Sequence, residues 1–287
     1  MKVLKFGGTS VGTVDSLRNV KSIVESIGEP AIVVVSALGG LTDRLIATAR
    51  MAASGERNLS AEIDAMEKRH ADIIESLVAE DRRNAVMESV GKYLAEMRDV
   101  YKGISLIRDL PEKTLDVIVS FGERMSSLIV ANIIDNAGHC DSLDFIKTEK
   151  WFNKNIADRA LSEDLIRRTF GCKLDCTMVC GGFISRDRDS DEITNLGRGG
   201  SDYTAALIAA ALDADLLEIW TDVDGFMTSD PRVIPTARVI PRMSFIESME
   251  LCSFGAKVIY PPTIYHVFHK NIPIRILNTN NHGAPGR

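Results

Sequence analysis

The sequence predicts an α/β fold in which helices cover both faces of a mainly parallel sheet. Two observations carry this prediction: short runs rich in β-branched residues, and helical apolar patterns that alternate with them. The runs lie at 3–6, 31–37, 176–184, 216–221 and 272–277. Their near-continuous apolar character is typical of strands buried on both faces, as in a parallel sheet.

Six segments between these runs have the 3.6-residue apolar spacing of amphipathic helices. They cover 15–27, 42–53, 158–170, 201–212, 244–254 and 262–270, with Asp, Ser or Thr near several starts. Residues 58–104 differ, because charges are spread there through a helical apolar pattern that holds no strand candidate. We expect this segment to be a helical hairpin or small bundle inserted into the sheet domain, with a solvated charged face.

A further helix is predicted from Pro111 to Gly138, since proline suits a helix start and glycine a helix end. Gly122 lies near the middle of this helix, beside Glu123 and Arg124. Glycine weakens a helix interior, so its presence there is a local inconsistency. We interpret it as the mark of a ligand contact.

The composition argues against several classes of protein. The chain has 287 residues, 45% of them hydrophobic and 26% charged, which fits one large soluble domain or two lobes. A net charge of −6 argues against nucleic acid as a partner. Neither a membrane span nor a signal peptide is predicted, because the N-terminal apolar run meets glycines at once. We expect a cytoplasmic protein.

The five cysteines predict neither a disulfide framework nor a metal site. Cys172, Cys176 and Cys180 are spaced by four, which invites a metal interpretation. Zinc sites usually add a second cysteine pair or histidines, and no such partner follows here. Buried structural cysteines are therefore favoured.

Two glycine-rich turns each precede a predicted helix, "GGTSVG" at 7–12 and "GRGGSD" at 197–202. Glycine lets the backbone approach a ligand closely, and the first N–H groups of a helix favour an anion. Either turn alone is equally an ordinary loop, with Ser201 or Asp202 as a helix cap. Both interpretations stay open for each turn by itself.

No stretch matches the Walker A or the dinucleotide-binding glycine pattern. Lys5 instead interrupts an apolar strand just before the first turn, where a charge must reach a partner or be costly. The alternative is an edge-strand surface lysine.

Two later segments add polar groups. "WTDVDGFMTSDPR" at 220–232 passes from a buried strand into an acidic loop, and ligands bind at such strand ends in α/β sheets. "SFGAKVIYPPT" at 253–263 places Lys257 just past a helix end, where lysine is often only a cap. An acidic surface turn is the alternative for the first segment.

Six motifs taken together resemble the catalytic domains of aspartate kinases, within the amino acid kinase family. In chain order they are "KFGGTSVG", "VVSALGGLTDRL", "SFGER", "LGRGGSDYTAA", "WTDVDGFMTSDPR" and "FGAKVIYPPT". The resemblance implies an open αβα sandwich with a mainly parallel sheet. It also implies an amino-acid-binding lobe over about 1–175, with its insertion at about 58–104, and a nucleotide-binding lobe over about 176–287.

The implied reaction is the ATP-dependent phosphorylation of the side-chain carboxylate of L-aspartate, with Mg²⁺, as the first step towards lysine, threonine and methionine. By the family pattern Lys5 reaches the β,γ-phosphates and Asp202 orients it. Arg198 would bind the α-carboxylate and Glu123 the α-ammonium of the substrate.

The resemblance implies site residues in three sets. The catalytic set is Lys5, Gly8, Ser201 and Asp202. The substrate-binding set is Ser36, Thr42, Glu123, Arg198 and Ser201. The nucleotide-binding set is Lys5, Gly7, Gly8, Thr9, Ser10, Gly199, Gly200, Thr221, Asp222, Met227, Asp230, Arg232 and Lys257. No protein metal ligand is predicted.

Some features depart from the family pattern. Tyr260 stands where histidine is usual and Met227 where tyrosine is common, which bears on the adenine and ribose contacts. Regulatory ACT modules are not found in these residues, so we expect ACT domains or a homoserine dehydrogenase as partners if the native chain is longer. A homo-oligomer is compatible with the sequence. The alternatives are a glutamate 5-kinase, a UMP kinase or a non-catalytic nucleotide-binding subunit.

Overall fold

The structure is a computed structural model, and it describes residues 1–56, 59–152, 154–171, 174–229, 233–254 and 259–281. The strands are β1 Lys2–Phe6, β2 Ile32–Val35, β3 Ala137–Cys140, β4 Lys147–Trp151, β5 Lys154–Ala157, β6 Thr177–Gly181, β7 Ile184–Asp187, β8 Ile193–Asn195, β9 Leu216–Thr221 and β10 Ile274–Asn278. The α-helices are α1 Val14–Glu25, α2 Leu41–Ser54, α3 Leu59–Leu77, α4 Glu80–Ile107, α5 Glu112–Ile133, α6 Arg159–Phe170, α7 Gly200–Ala211, α8 Phe245–Ser253 and α9 Pro261–Phe268.

A parallel six-stranded sheet forms the centre of the fold, in the order β10-β9-β1-β2-β6-β3. One hydrophobic cluster packs Leu4 and Phe6 of β1 against α1, α2 and α5, and a second packs Val3 against α7 and α9. Alternate side chains of β1 thus enter opposite layers, as strand geometry requires. The predicted αβα architecture is confirmed.

A second sheet was not predicted. It has four strands in the order β5-β4-β7-β8, with antiparallel pairs at β4–β5 and β7–β8. The prediction of one strand over 176–184 is wrong, because the chain turns at Phe183, whose φ is +68°. Strand β6 lies in the central sheet, whereas β7 continues into the second one.

The inserted helical hairpin is confirmed as α3 and α4, which pack against each other and against α2. Its apolar stripe joins the larger hydrophobic cluster through Met66, Ile74, Leu94 and Met97. Tyr101 is buried there and donates a hydrogen bond to the carbonyl of Leu45, 3.0 Å away.

The predicted end of the next helix at Gly138 is wrong. Helix α5 ends at Ile133, the chain turns through Asn136 with a φ of +52°, and Gly138 belongs to β3. A Cβ at Gly138 would lie 2.8 Å from the sulfur of Met178 on β6, so the Met178 side chain packs against the glycine. Pro111 is the N-cap of α5, as its sequence position indicated.

The cysteines on the described residues are free thiols, with Cys180 buried in the core and Cys176 partly buried. Cys172 lies outside the described residues. No helix within them is both long and apolar enough to cross a membrane. The central sheet takes strands from both predicted lobes, and the division near residue 175 stays a prediction.

Candidate active site

A buried ion pair joins the first strand to the start of α7. Lys5 Nζ lies 2.7 Å from Asp202 Oδ1, and the two side chains are only 12% and 13% exposed. Lys5 is therefore no surface lysine of an edge strand, because β1 has neighbours on both sides. The Lys5 side chain folds back over Gly7, where an added Cβ would lie 3.4 Å from Nζ.

Two glycine-rich loops pack backbone against backbone beside this pair. A Cβ at Gly39 would lie 2.9 Å from the carbonyl oxygen of Gly8, and a Cβ at Gly12 would lie 3.1 Å from the same atom. The loops after β1 and β2 therefore approach more closely than side chains allow. They form one wall of a cavity at the carboxyl ends of these strands.

The cavity has a volume of about 390 Å³. It brings together ten residues that the sequence analysis predicted for the site, from four separate motifs. These residues are Lys5, Gly8, Ser36, Thr42, Glu123, Arg198, Gly199, Gly200, Ser201 and Asp202. Lys5 and Arg198 thus open onto the same space.

Helices α2 and α7 both begin at the cavity. Their N-caps, Gly40 and Gly199, have φ values of +75° and +71°, and neither helix start has a side-chain cap. The N-terminal end of a helix carries a partial positive charge and unpaired N–H donors. Two such ends beside Lys5 favour an anion in the cavity.

Glu123 is the buried carboxylate of the cavity. Its Oε1 accepts the N–H of Ala37 at 3.2 Å, while Oε2 has no hydrogen-bond partner. Burial raises the pKa of Glu123 to about 8, a rise that the hydrogen bond from Ala37 opposes. A cation placed against Oε2 would satisfy the unpaired oxygen and favour the ionised form.

The position of Glu123 depends on the glycine before it. A Cβ at Gly122 would lie 2.8 Å from the Cβ of Ala37, so only glycine lets α5 approach the loop after β2 this closely. The sequence predicts a ligand contact at Gly122. In the structure its role is packing, and the residue it places is Glu123.

Ser36 and Ser201 connect the two halves of the site. The Ser36 hydroxyl donates to Ser201 Oγ at 2.9 Å, and the Ser36 carbonyl accepts from Ser126 at 2.8 Å. A Cβ at Gly182 would lie 2.6 Å from the Cα of Ser201. The turn between β6 and β7 therefore fixes the first turn of α7 against the cavity.

Arg198 lies at the exposed rim of the cavity, on the loop between β8 and α7. Tyr260 packs beside this loop, since a Cβ at Gly199 would lie 2.4 Å from the Cβ of Tyr260. The tyrosine that departs from the family pattern thus contacts the arginine loop.

A second polar cluster lies at the same edge of the sheet. β9 pairs with β1 so that Trp220 is opposite Phe6, which places Thr221 and Asp222 at the strand end beside Gly7. Asn278 donates to Asp224 at 2.7 Å and fixes the loop that follows β9. Asp224 belongs to the acidic loop that the sequence indicates, but it is not among the predicted site residues.

Six predicted nucleotide-binding residues do not line the cavity: Gly7, Thr9, Ser10, Thr221, Asp222 and Met227. Met227 forms a β-bridge with Val239. Asp230, Arg232 and Lys257 lie outside the described residues.

Three residues of the predicted nucleotide-binding set already form hydrogen bonds within the protein. Ser10 is buried, and its hydroxyl is hydrogen-bonded with Thr279 at 2.7 Å, while its N–H donates to the Gly7 carbonyl. The N–H of Gly7 donates to Trp220, and that of Gly200 to Gly197. Their assignment to the nucleotide-binding set stays a prediction.

Seven residues line the cavity without having been assigned to the site: Ala37, Leu38, Gly39, Gly40, Asp43, Phe183 and Gly197. All but Phe183 belong to motifs quoted above. The motifs therefore indicated this part of the chain, but they did not show that these particular residues line the cavity. Phe183 had no such signal, because its position depends on the unpredicted turn after β6.

No group of three or more His, Cys, Asp or Glu residues that could hold a metal ion occurs among the described residues. Asp202, the carboxylate nearest to Lys5 in the cavity, is already paired with it. Mg²⁺ commonly binds through substrate phosphates with only one or two protein carboxylates. Within the described ranges, the carboxylates therefore fit an ion that arrives with substrate phosphates and not a preformed protein cage.

Comparison with known proteins bears on this arrangement. The family model described as "Amino acid kinase family" matches residues 1–278. The chain belongs to the amino acid kinase family.

This amino acid kinase is similar to several curated proteins. It is 33% identical to Aspartokinase 2, chloroplastic, of Arabidopsis thaliana, over 99% of the chain and 53% of that relative. It is 34% identical to Lysine-sensitive aspartokinase 3 of Escherichia coli strain K12, over 99% of the chain and 63% of that relative. The amino acid kinase chain therefore spans between half and two thirds of these relatives.

A solved structure is also similar to this amino acid kinase. The crystal structure of E. coli aspartokinase III in complex with aspartate and ADP, in the R-state, superposes with a TM-score of 0.88 at 31% identity. The match covers 99% of this chain and 63% of that one.

Proposed function

We propose that the protein transfers the γ-phosphoryl group of ATP to the side-chain carboxylate of L-aspartate, giving 4-phospho-L-aspartate and ADP. The observation that carries this proposal is that Lys5, Glu123 and Arg198 open onto one cavity. The similarity to aspartokinases, one of them solved with aspartate and ADP, supports the same substrate pair.

The reaction needs no covalent protein nucleophile. A carboxylate is already ionised at neutral pH, so no general base has to remove a proton from it. Catalysis then consists of holding the two substrates in line and neutralising the charge on the transferring phosphoryl group. The cavity offers an ammonium group and two helix N-termini for that purpose.

We assign Lys5 to the β,γ-phosphates. Asp202 holds its ammonium group at 2.7 Å and fixes its direction. A charge that is held in place before the reaction stabilises the transition state without reorganisation. The backbone at Gly8 and the hydroxyl of Ser201 line the same part of the cavity, and we assign them to the phosphoryl path.

Recognition of aspartate requires groups for two carboxylates and one ammonium. We assign the α-carboxylate to Arg198, whose guanidinium group can bind it through two hydrogen bonds. The α-ammonium is assigned to Glu123, whose Oε2 has no hydrogen-bond partner. Ser36, Thr42 and Ser201 supply hydroxyl groups beside these two charges.

The nucleoside is assigned to the end of β9, next to the cavity. Thr221, Asp222 and Met227 lie on this strand end and the loop after it. Arg232 and Lys257 are proposed for the phosphates, with Asp230 nearby in the sequence. Mg²⁺, arriving with ATP, would neutralise phosphate charge. We further propose a homo-oligomer, and ACT domains or a homoserine dehydrogenase as partners within a longer chain.

The test is an ADP-release assay with aspartate, glutamate, acetylglutamate and UMP as separate acceptors, with hydroxylamine present to trap an acyl phosphate. We expect turnover and trapped product with aspartate alone. A preference for glutamate, acetylglutamate or UMP would replace the assignment by another amino acid kinase activity. No turnover with any acceptor would favour a non-catalytic nucleotide-binding subunit.

A further inference from the structure

The loop that carries Arg198 is held by the side chain of Asn195. Asn195 is the last residue of β8, and its Oδ1 accepts the N–H of Gly197 at 2.9 Å. Gly197 has a φ of +70°, so the chain turns sharply just before the arginine. The amide of Asn195 therefore spans the turn that presents Arg198 to the cavity.

The other end of the same amide is bound to α5. Asn195 Nδ2 donates to Asp116 Oδ1 at 2.5 Å. Asp116 lies two helical turns before Glu123, on the same side of α5. Helix α5 thus contributes two carboxylates: Glu123 lines the cavity, and Asp116 binds the residue that holds the Arg198 loop.

The neighbours of Asn195 require an amide at this position. Gly197 presents a donor and Asp116 an acceptor, and a primary amide offers one acceptor and two donors. An aspartate side chain at 195 would place a second carboxylate against Asp116, and an apolar side chain would leave both partners unpaired. Burial raises the pKa of Asp116 to about 6, so at pH 7 and above it is mostly an acceptor.

Other contacts also hold the loop, but they are made by the backbone and do not connect it to α5. The N–H of Leu196 donates to the Phe183 carbonyl at 2.9 Å, and that of Gly200 to the Gly197 carbonyl at 3.0 Å. Neither Asn195 nor Asp116 lines the cavity. Any effect of this pair on the substrate must therefore pass through the loop.

We propose that Asn195 and Asp116 are positioning residues that hold the Arg198 loop in the conformation that binds the α-carboxylate of aspartate. The assignment rests on the proposed function, since that function gives Arg198 its ligand. It extends the site to an amide–carboxylate pair outside the cavity.

The first test is Asn195→Asp, which keeps the acceptor for Gly197 and removes the donor to Asp116. We expect the KM for aspartate to rise about tenfold or more, the scale of a lost hydrogen bond to a charged group. The KM for ATP and kcat should change by less than about threefold. Asn155→Asp makes the same chemical change at an exposed position on β5 and should leave all three values unchanged.

Exchanging the two side chains tests the pairing itself. The double variant Asp116→Asn with Asn195→Asp restores one donor and one acceptor between the residues, and keeps an acceptor for Gly197. We expect the KM for aspartate to return to within about threefold of the wild-type value, a coupling that independent sites do not show. A double variant as impaired as the two single changes combined would overturn the proposal.

Amide hydrogen exchange of the ligand-free protein tests the positioning role independently of whether the protein phosphorylates aspartate. The peptide covering residues 196–200 should exchange faster in Asn195→Asp and recover in the double variant, whether or not aspartate is the substrate. Unchanged exchange in this peptide would overturn the positioning role even in an active aspartate kinase. If Asn195→Asp does not fold, Asp116→Leu provides the same comparison with Asn195 and Gly197 intact.

Discussion

Lys5 on β1 and Asp202 in the first turn of α7 form an ion pair of 2.7 Å, and both residues line the cavity. The two residues are nearly 200 positions apart in the chain. Their pairing joins the glycine loop after β1 to the glycine loop before α7. Every assignment in the proposed function depends on this junction.

Removing the lysine tests its catalytic role. Lys5→Ala should lower kcat by roughly 10²-fold or more, because it removes a positioned charge that stabilises the transferring phosphoryl group. The measurement is steady-state ADP release with saturating aspartate. Lys2→Ala is the matched control, since Lys2 lies on the same strand and its distance to Glu29 is 3.8 Å. Normal turnover by Lys5→Ala would show that the assigned role is wrong.

Replacing the arginine by lysine tests recognition of the α-carboxylate. Arg198→Lys keeps the charge but removes the two parallel donors, so the KM for aspartate should rise about tenfold while the KM for ATP stays within about twofold. Arg18→Lys, an exposed position on α1, controls for the chemical change. Equal increases in both KM values would contradict an aspartate-specific contact.

The raised pKa of Glu123 predicts a pH-dependent affinity. In the free protein this carboxyl is protonated below about pH 8, whereas an ammonium ligand requires the ionised form. Binding must then release a proton, and the affinity for aspartate should increase from pH 6.5 to 8, by up to about tenfold per unit. Calorimetry in two buffers of different ionisation heat measures the released proton.

The matched variant for this measurement is Glu123→Gln. It should bind aspartate weakly and without proton release, because the amide has no charge to titrate. An affinity of the wild-type protein that does not change between pH 6.5 and 8 would be incompatible with the proposed ammonium site.

A single methyl group should disrupt the contact between the β6–β7 turn and α7. A Cβ at Gly182 would lie 2.6 Å from Ser201 Cα, so Gly182→Ala should lower both kcat and the free energy of unfolding, the latter by about 1–3 kcal/mol. Gly91→Ala in α4 meets no atom within 4 Å and should stabilise the protein by about 0.5–1 kcal/mol. Urea unfolding and steady-state assays compare the two variants. Full activity in Gly182→Ala would show that the turn does not position Ser201.

Most of the central sheet was predictable because β1, β2, β6 and β9 are largely buried on both faces, whereas the partly exposed β3 was missed. The runs at 3–6 and 216–221 match β1 and β9 closely, and their apolar residues fill both hydrophobic clusters. The second sheet gave no such signal, since β4 and β5 carry charged residues and are largely exposed. Short strands of that composition look like loops in a sequence.

The sequence predicted which residues line the cavity better than it predicted the contacts that position them. The motifs named Lys5, Glu123, Arg198 and Asp202, and the fold brings all four to one cavity. The sequence could not indicate that Gly122 serves packing, because its neighbour Ala37 comes from a distant loop. Engaged donors such as Ser10 were equally hidden, since their partners lie far along the chain.

The lysine stands on an interior strand, with Val34 of β2 and Ile219 of β9 as its partners on either side. The backbone hydrogen bonds of such a strand open only when most of the domain unfolds cooperatively. The ammonium group therefore has a fixed anchor. Any opening that admits a ligand must therefore come from the surrounding loops, while the position of the ammonium group stays unchanged.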